Sequence, residues 1–230
     1  MDRMRRLFLA TGILALAGLV AAIAMTLCKR FTGLPAHYAE ARPLDPAFNR
    51  LSPVEIAALP VAVRWDSPLG SEHAALTYNA QPFRVTRHLG DDLNGIGGYN
   101  SDLGDPVRAA AAGRVVYAGV PGPGWGRMVI LAHRVRSDQT GELEVVQSLY
   151  AHLEKTLVHP GQTLSRGEQL GTVGTADGLY WAHLHFEIRH GPYVNPSVGY
   201  ADAPLNRTSP EGFLATHRGA ADDLLNPAPK

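Results

Sequence analysis

The chain has 230 residues with 21 Lys or Arg and 21 Asp or Glu, so the formal net charge is zero and the charged share, 18%, is low for a soluble domain. The balance is uneven: Arg3, Arg5, Arg6, Lys29 and Arg30 face Asp2 alone in residues 1–30, leaving 16 basic and 20 acidic residues in 31–230. A mildly acidic body excludes a sequence-independent nucleic-acid binder, which needs a basic surface for phosphate. Gly and Pro make up 41 residues, too few for a disordered chain and enough for a turn-rich one with a single sizeable core.

Residues 1–30 read as a signal peptide or membrane anchor. After MDRMRR, residues 7–28 carry no charge and are long enough as a helix to cross the ~30 Å hydrocarbon layer. Ala22-Ile23-Ala24 resembles a small-x-small cleavage site, but the apolar run continues to Cys28 and closes on Lys29-Arg30, which favours an uncleaved anchor. Three arginines before the span against two basic residues after it favour a cytoplasmic amino terminus, with the remainder outside or in a periplasm. Cys28 is the only cysteine, so no disulfide forms within the chain. The bulky Leu27 before it disfavours lipid attachment, and Cys28 reads as an inert thiol.

Residues 31–80 read as a Pro-rich connector that packs on the main domain, broken by Pro35, Pro43, Pro46, Pro53, Pro60 and Pro68. Within it, residues 53–59 predict a short helix capped by Ser52. From residue 81 the texture becomes short β-branched runs punctuated by glycine. Strands are expected at 107–110, 113–120, 128–133, 143–152 and 183–189, with a hairpin turn at 137–141. Helical periodicity is nearly absent, which favours an antiparallel β domain over 81–200, followed by a tail at 201–230.

Three histidine-bearing motifs carry chemistry. In Arg87-His88-Leu89-Gly90-Asp91-Asp92, the even spacing of His88 and Asp92 keeps both side chains on one side of an extended segment, and Gly90 lets them converge. Imidazole and carboxylate both suit zinc, although a solvated loop explains this motif equally well when it stands alone. In Trp181-Ala-His183-Leu184-His185-Phe186-Glu187-Ile188-Arg189, alternation puts His183, His185 and Glu187 on one face and Leu184, Phe186 and Ile188 on the core face. Two imidazoles about 7 Å apart along the strand suit one metal ligand and one neighbour acting on a metal-activated water. In Ser148-Leu149-Tyr150-Ala151-His152-Leu153, Tyr150 and His152 are expected to share a face. His133 reads as structural, or as support for another ligand. Asp91, Asp102 and Asp105 read as solvated loop acids, since no run has calcium-loop spacing. Trp125 covers the core or stacks on a ligand, and Tyr180 and Trp181 flank the last motif.

Together, His88-x-Gly90-x-Asp92, Tyr150-Ala-His152-Leu153 and His183-Leu-His185-Phe186-Glu187 resemble, in order, the motifs of lysostaphin-type zinc metallopeptidases, the LytM-like domains. Residues 104–119 and 159–174 resemble that family's first hairpin and the turn before its last motif. The resemblance implies an all-β, mainly antiparallel β-sheet sandwich. It implies one Zn2+ held by His88, Asp92 and His185, with His152 and His183 as catalytic histidines. The implied activity is a metalloendopeptidase cutting peptide cross-links of bacterial peptidoglycan in the cell envelope. The alternative is a non-catalytic LytM-like protein that binds envelope components or regulates another cell-wall hydrolase through protein partners. A thermolysin-like site is excluded, because no His-Glu-x-x-His helix exists. A lipoyl-like carrier fits poorly: Lys155 is the only lysine between 31 and 229, and no heptad run is present. Residues 94–104 form a longer link than the family usually has, either lining the substrate groove or forming a surface loop.

Overall fold

The computed structural model describes residues 16, 18–21, 23, 50–71, 74–137, 139–196 and 198–218. The chain divides into two units, 1–44 and 45–230. In the first, residues 16, 18–21 and 23 are helical. Most of the expected 7–28 span, Cys28, and residues 31–49 of the connector lie outside the described residues. Among the described residues no helix is long and apolar enough to cross a membrane.

Among its described residues the second unit has ten antiparallel strands and two short helices. Helix α1 (Pro53–Ala57) starts where Ser52 predicts: the Ser52 hydroxyl accepts from the Glu55 amide, and the Glu55 carboxylate accepts from the Ser52 amide at 2.8 Å. The strands follow as β1 (Thr77–Gln81), β2 (Asp91–Gly95), β3 (Pro106–Arg108), β4 (Gly113–Gly119), β5 (Arg127–Arg136), β6 (Leu143–Thr156), β7 (Thr163–Leu164), β8 (Gln169–Val173), β9 (Leu184–His190) and β10 (Arg207–Thr208). Helix α2 (Pro210–His217) closes the described chain.

These strands form one connected sheet in the order β1-β2-β9-β6-β5-β4-β7, with β10 on β9 and β3 joined through β8 to β6. All named pairs are antiparallel, as expected; instead of two separate sheets, the β3–β8 ladder stays hydrogen-bonded to the far end of β6. The 14-residue β6 makes this branching feasible. One of its edges runs along β5, whereas the other pairs with β9 through Ala151 and with β8 from Leu153 onward.

His152 occupies the fork. It and Ala151 together stand opposite Met128 in a β-bulge, and His152 has φ +63°. A bulge re-aims a side chain, and a non-glycine residue in the left-handed region persists only where its surroundings hold it. The expected shared face of Tyr150 and His152 is therefore corrected. Tyr150 lies in the main core with its hydroxyl accepting from the Ala110 amide at 2.9 Å, while the bulge turns His152 toward His183 and His185.

The main core gathers Val107, Val115, Leu131, Tyr150, Leu170, Leu184, Phe186 and Ile188 from the strands. Trp65, Leu69, Phe213 and Leu214 join it from either side of the strand region. Helix α2 corrects the expectation of a tail without helical pattern. Its eight residues are too few for periodicity to register, but Ser209-Pro210-Glu211 carries a start signal, and the Ser209 hydroxyl accepts from the Gly212 amide.

Candidate metal centre

Strand β9 sets the frame. Leu184, Phe186 and Ile188 enter the core, and the opposite face carries His183, His185, Glu187 and Arg189. Strand β2 lies beside it with Asp92 opposite His185. His88 precedes β2 and bridges to Tyr200. The residue between them is Gly90: a Cβ there would meet the Phe186 carbonyl oxygen at 2.6 Å and His185 Cε1 at 2.9 Å. Its role is thus close approach to β9 as well as the bend expected from the sequence.

Three donor atoms converge. His185 Nδ1 is 2.9 Å from Asp92 Oδ1 and 3.0 Å from His88 Nε2, and His88 Nε2 is 3.3 Å from Asp92 Oδ1. A tetrahedron with zinc–ligand arms of ~2.0–2.1 Å has edges of about 3.3 Å, so the three donors fit the ion with little movement. All three residues are buried. Two imidazole nitrogens and a carboxylate, out of water and within hydrogen-bond reach of one another, form a donor set that suits a divalent cation.

The remaining ring nitrogens are committed elsewhere. His88 Nδ1 is 3.0 Å from the Gln81 carbonyl, and His185 Nε2 is 3.0 Å from Glu187 Oε1. Each partner can accept an N–H, which holds the ring so that the converging nitrogen, once it has lost its proton, can bind a metal. Glu187, on the metal face as expected, is held in turn by Arg189 and Arg207.

A second set, Asp92, His152 and His183, overlaps the first through Asp92. His183 Nε2 is 3.7 Å from Asp92 Oδ1, and its Nδ1 donates to the Trp181 carbonyl at 2.7 Å. His152 Nδ1 donates to the Trp125 carbonyl at 3.2 Å, which leaves its Nε2 available. The His152 and His183 rings are 4.7 Å apart. All five histidine and aspartate positions singled out in the sequence are thus brought into one cluster.

The electrostatics divide the histidines. Burial opposes charge on His185, but hydrogen bonds to Asp92 and Glu187 outweigh it and raise its pKa to about 9. Burial likewise works against an ionised Asp92, yet the hydrogen bonds from His185 and His88 hold its carboxyl well below the usual range. His152 goes the other way: burial first, then its imidazole neighbours, push it well below the ordinary imidazole value and keep it neutral at physiological pH.

The structure also assigns roles to residues around the cluster. Trp125 supplies the carbonyl that receives both the His152 amide, at 2.9 Å, and Nδ1, and its ring lies 5.4 Å from that of His185. Gly126 (φ +59°) makes this approach feasible, since a Cβ there would lie 2.8 Å from Ala176 Cα. Asp91 is corrected from a solvated acid to a buried brace: its two oxygens accept from the amides of Phe83 at 2.7 Å and Glu211 at 2.9 Å. Asp102 is also buried and accepts from the Gly95 amide, whereas Asp105 is exposed. His133 is structural, with ring nitrogens on the Ala112 carbonyl and the Ser148 hydroxyl. The 94–104 segment is tied to the backbone beside His183: the Asn94 amide donates to the Ala182 carbonyl, and Asn100 Oδ1 accepts from the Ala182 amide. Tyr99 in that segment meets Trp181 edge-on at 5.4 Å, and Tyr180 packs 5.1 Å from His152.

A sequence model of Peptidase family M23 matches residues 94–196, a range that holds His152, His183 and His185 and begins just after Asp92. The cell division protein DipM of Caulobacter vibrioides is 36% identical over 102 residues, 44% of this chain and 15% of that protein. The murein hydrolase activator NlpD of Salmonella typhimurium is 37% identical over 94 residues, 40% of this chain and 22% of that protein. The lipoprotein NlpD of Yersinia enterocolitica is 36% identical over 94 residues, 40% of this chain and 87% of that sequence. The match therefore spans less than a quarter of DipM and of the Salmonella protein. With the family model and a relative of this identity matched over nearly its whole length, the chain belongs to Peptidase family M23, the lysostaphin-type, LytM-like group.

Proposed function

We propose that this protein is a zinc metalloendopeptidase of the cell envelope that hydrolyses peptide cross-links of bacterial peptidoglycan. The observation that carries this reading is the completeness of the cluster: three donors at 2.9–3.3 Å and two further imidazoles, each with one nitrogen anchored on a backbone carbonyl. In the proposed roles His88, Asp92 and His185 hold zinc. When bound there, zinc supplies a Lewis acid and brings the pKa of an attacking water to about 7.

The chain's own groups do the rest. Neutral His152, with Nδ1–H on the Trp125 carbonyl, presents Nε2 as a proton acceptor at neutral pH. His183, oriented by the Trp181 carbonyl with its Nε2 3.7 Å from Asp92 Oδ1, is suited to hydrogen-bond the developing oxyanion. Beside it Tyr180 packs on His152 and Tyr99 meets Trp181, and all three rings stay exposed, where a substrate can touch them. Peptidoglycan as substrate rests on family membership, and placement in the envelope rests on the leader together with relatives named as lipoproteins.

A second reading, regulation of another hydrolase, is favoured by a relative named as a murein hydrolase activator. The two are separated by incubating purified sacculi with the zinc-loaded full-length protein and with its His183→Ala variant. New free amines from cut cross-links with the wild type alone support the peptidase. Binding without cleavage by both, together with faster cleavage by a second, added hydrolase, supports the regulator.

A further inference from the structure

Glu187 is fully buried, and its two oxygens divide their partners. Oε2 accepts from Arg189 Nε at 2.6 Å and Arg207 Nε at 3.1 Å, so Oε1 is left to His185 Nε2 at 3.0 Å. Arg189 approaches along β9 itself, two residues away. Arg207 approaches across the ladder from β10, where it stands opposite Arg189. Two guanidiniums from different directions prevent the carboxylate from rotating about its own axis. Arg207 is itself fixed by Asn206 Oδ1 at 2.9 Å, and Asn206 clasps β9 through its amide to the His190 carbonyl at 2.8 Å.

The same stretch of chain grips the other imidazole ligand. The Leu89 amide donates to the Gly199 carbonyl and the Ala201 amide to the Arg87 carbonyl, each at 2.9 Å, so residues 199–201 run beside His88. The Tyr200 ring packs 5.1 Å from the His88 ring, and its hydroxyl donates to Gln81 Oε1 at 3.3 Å. Gln81 is also the residue whose carbonyl fixes His88 Nδ1. Residues 199–207 lie beyond the range matched by the family model.

We propose that Arg207 is a positioning residue of the metal centre, acting through Glu187 on His185, and that the segment carrying it completes the site rather than merely following the domain. The inference rests on the metal reading above. A carboxylate that orients a ligating histidine is worth roughly 10–100-fold in metal affinity. An arginine that acts only by aiming that carboxylate has an effect of the same order, and the effect vanishes once the carboxylate is gone.

The test is a double-mutant cycle on the full-length protein, read as zinc affinity by chelator competition and as the visible spectrum of the cobalt-substituted protein. Arg207→Met and Glu187→Gln are each expected to weaken zinc binding about 10–100-fold and to shift the cobalt bands, while the double variant binds no more weakly than Glu187→Gln alone. Wild-type zinc affinity and spectrum in a folded Arg207→Met variant would overturn the proposal, as would additive losses in the double variant. If Arg207→Met does not fold, the comparison between the double variant and Glu187→Gln decides alone: equal affinity supports it and a further loss overturns it. Zinc-loaded protein that leaves peptidoglycan intact would refute the hydrolase and leave these affinities unaffected.

Discussion

Gly90→Ala probes how the two ligand-bearing segments are brought together. The added Cβ would lie 2.6 Å from the Phe186 carbonyl oxygen, 2.9 Å from Glu187 Cγ and 2.9 Å from His185 Cε1. The first of these is backbone of β9, paired with Asp91 of β2, and cannot swing aside. Reaching ordinary contact near ~3.5 Å requires the strands to part by roughly 0.6–0.9 Å. Metal–ligand distances tolerate only about 0.2 Å, and His88 and Asp92 stand on one side of the opening with His185 on the other. The expected result is a loss of zinc affinity of at least about tenfold, comparable to losing a supporting group. Overpacking should also lower the stability of the metal-free protein by about 1–3 kcal/mol. Chelator competition measures the first and urea unfolding in excess chelator the second. A folded Gly90→Ala protein with wild-type zinc affinity would refute the claim that this close approach sets the donor geometry.

Four further outcomes are expected. His152→Ala and His183→Ala should keep zinc but lower peptide hydrolysis by about 100-fold or more, whereas His185→Ala should lose metal and activity together; zinc content beside hydrolysis rate distinguishes them. Zinc must displace the proton that the metal-free site keeps on His185 up to about pH 9, so affinity should fall as pH drops below that value, by nearly tenfold per unit, with about one proton released per ion. Isothermal titration in buffers of different ionisation enthalpy measures that release. Burial lowers the His133 pKa to about 4. The unfolded chain therefore takes up this proton first, and stability that is full above about pH 6.5 declines toward pH 4, by about 2 kcal/mol between pH 7 and 5. His133→Gln should flatten urea midpoints over that range relative to wild type. Lastly, the leader should stay uncleaved and keep the protein in membranes, read by terminal sequencing of the membrane fraction; a mature terminus near Met25 would indicate a cleaved signal instead.

Much of the site was legible because metal chemistry restricts residue type. His88, Asp92, His152, His183 and His185 stand in motifs whose spacing is set by strand alternation, and β9 obeys that alternation throughout. The same rule failed on β6, where a bulge at His152 resets the period, and nothing in Tyr150-Ala-His152 signals it. The groups that orient the ligands were less visible, since several act through backbone. The carbonyls of Gln81, Trp125 and Trp181 carry no side-chain signature. Asp91 read as a solvated acid, and Arg207 was not singled out, because their partners, the Glu211 amide and Glu187, are 120 and 20 residues away. The short strands β1, β2, β7, β8 and β10 were missed for a similar reason: two to five residues hold too little pattern to stand out from loops.

Digestion of purified sacculi in oxygen-18 water tests the central claim most directly. The account predicts that zinc-loaded protein leaves one heavy oxygen in each new carboxyl terminus of the cut peptide stems, matched by an equal number of new free amines. Both should vanish with chelator or with His183→Ala. Zinc-loaded, folded protein that binds sacculi yet yields no labelled termini above the chelator control would contradict it.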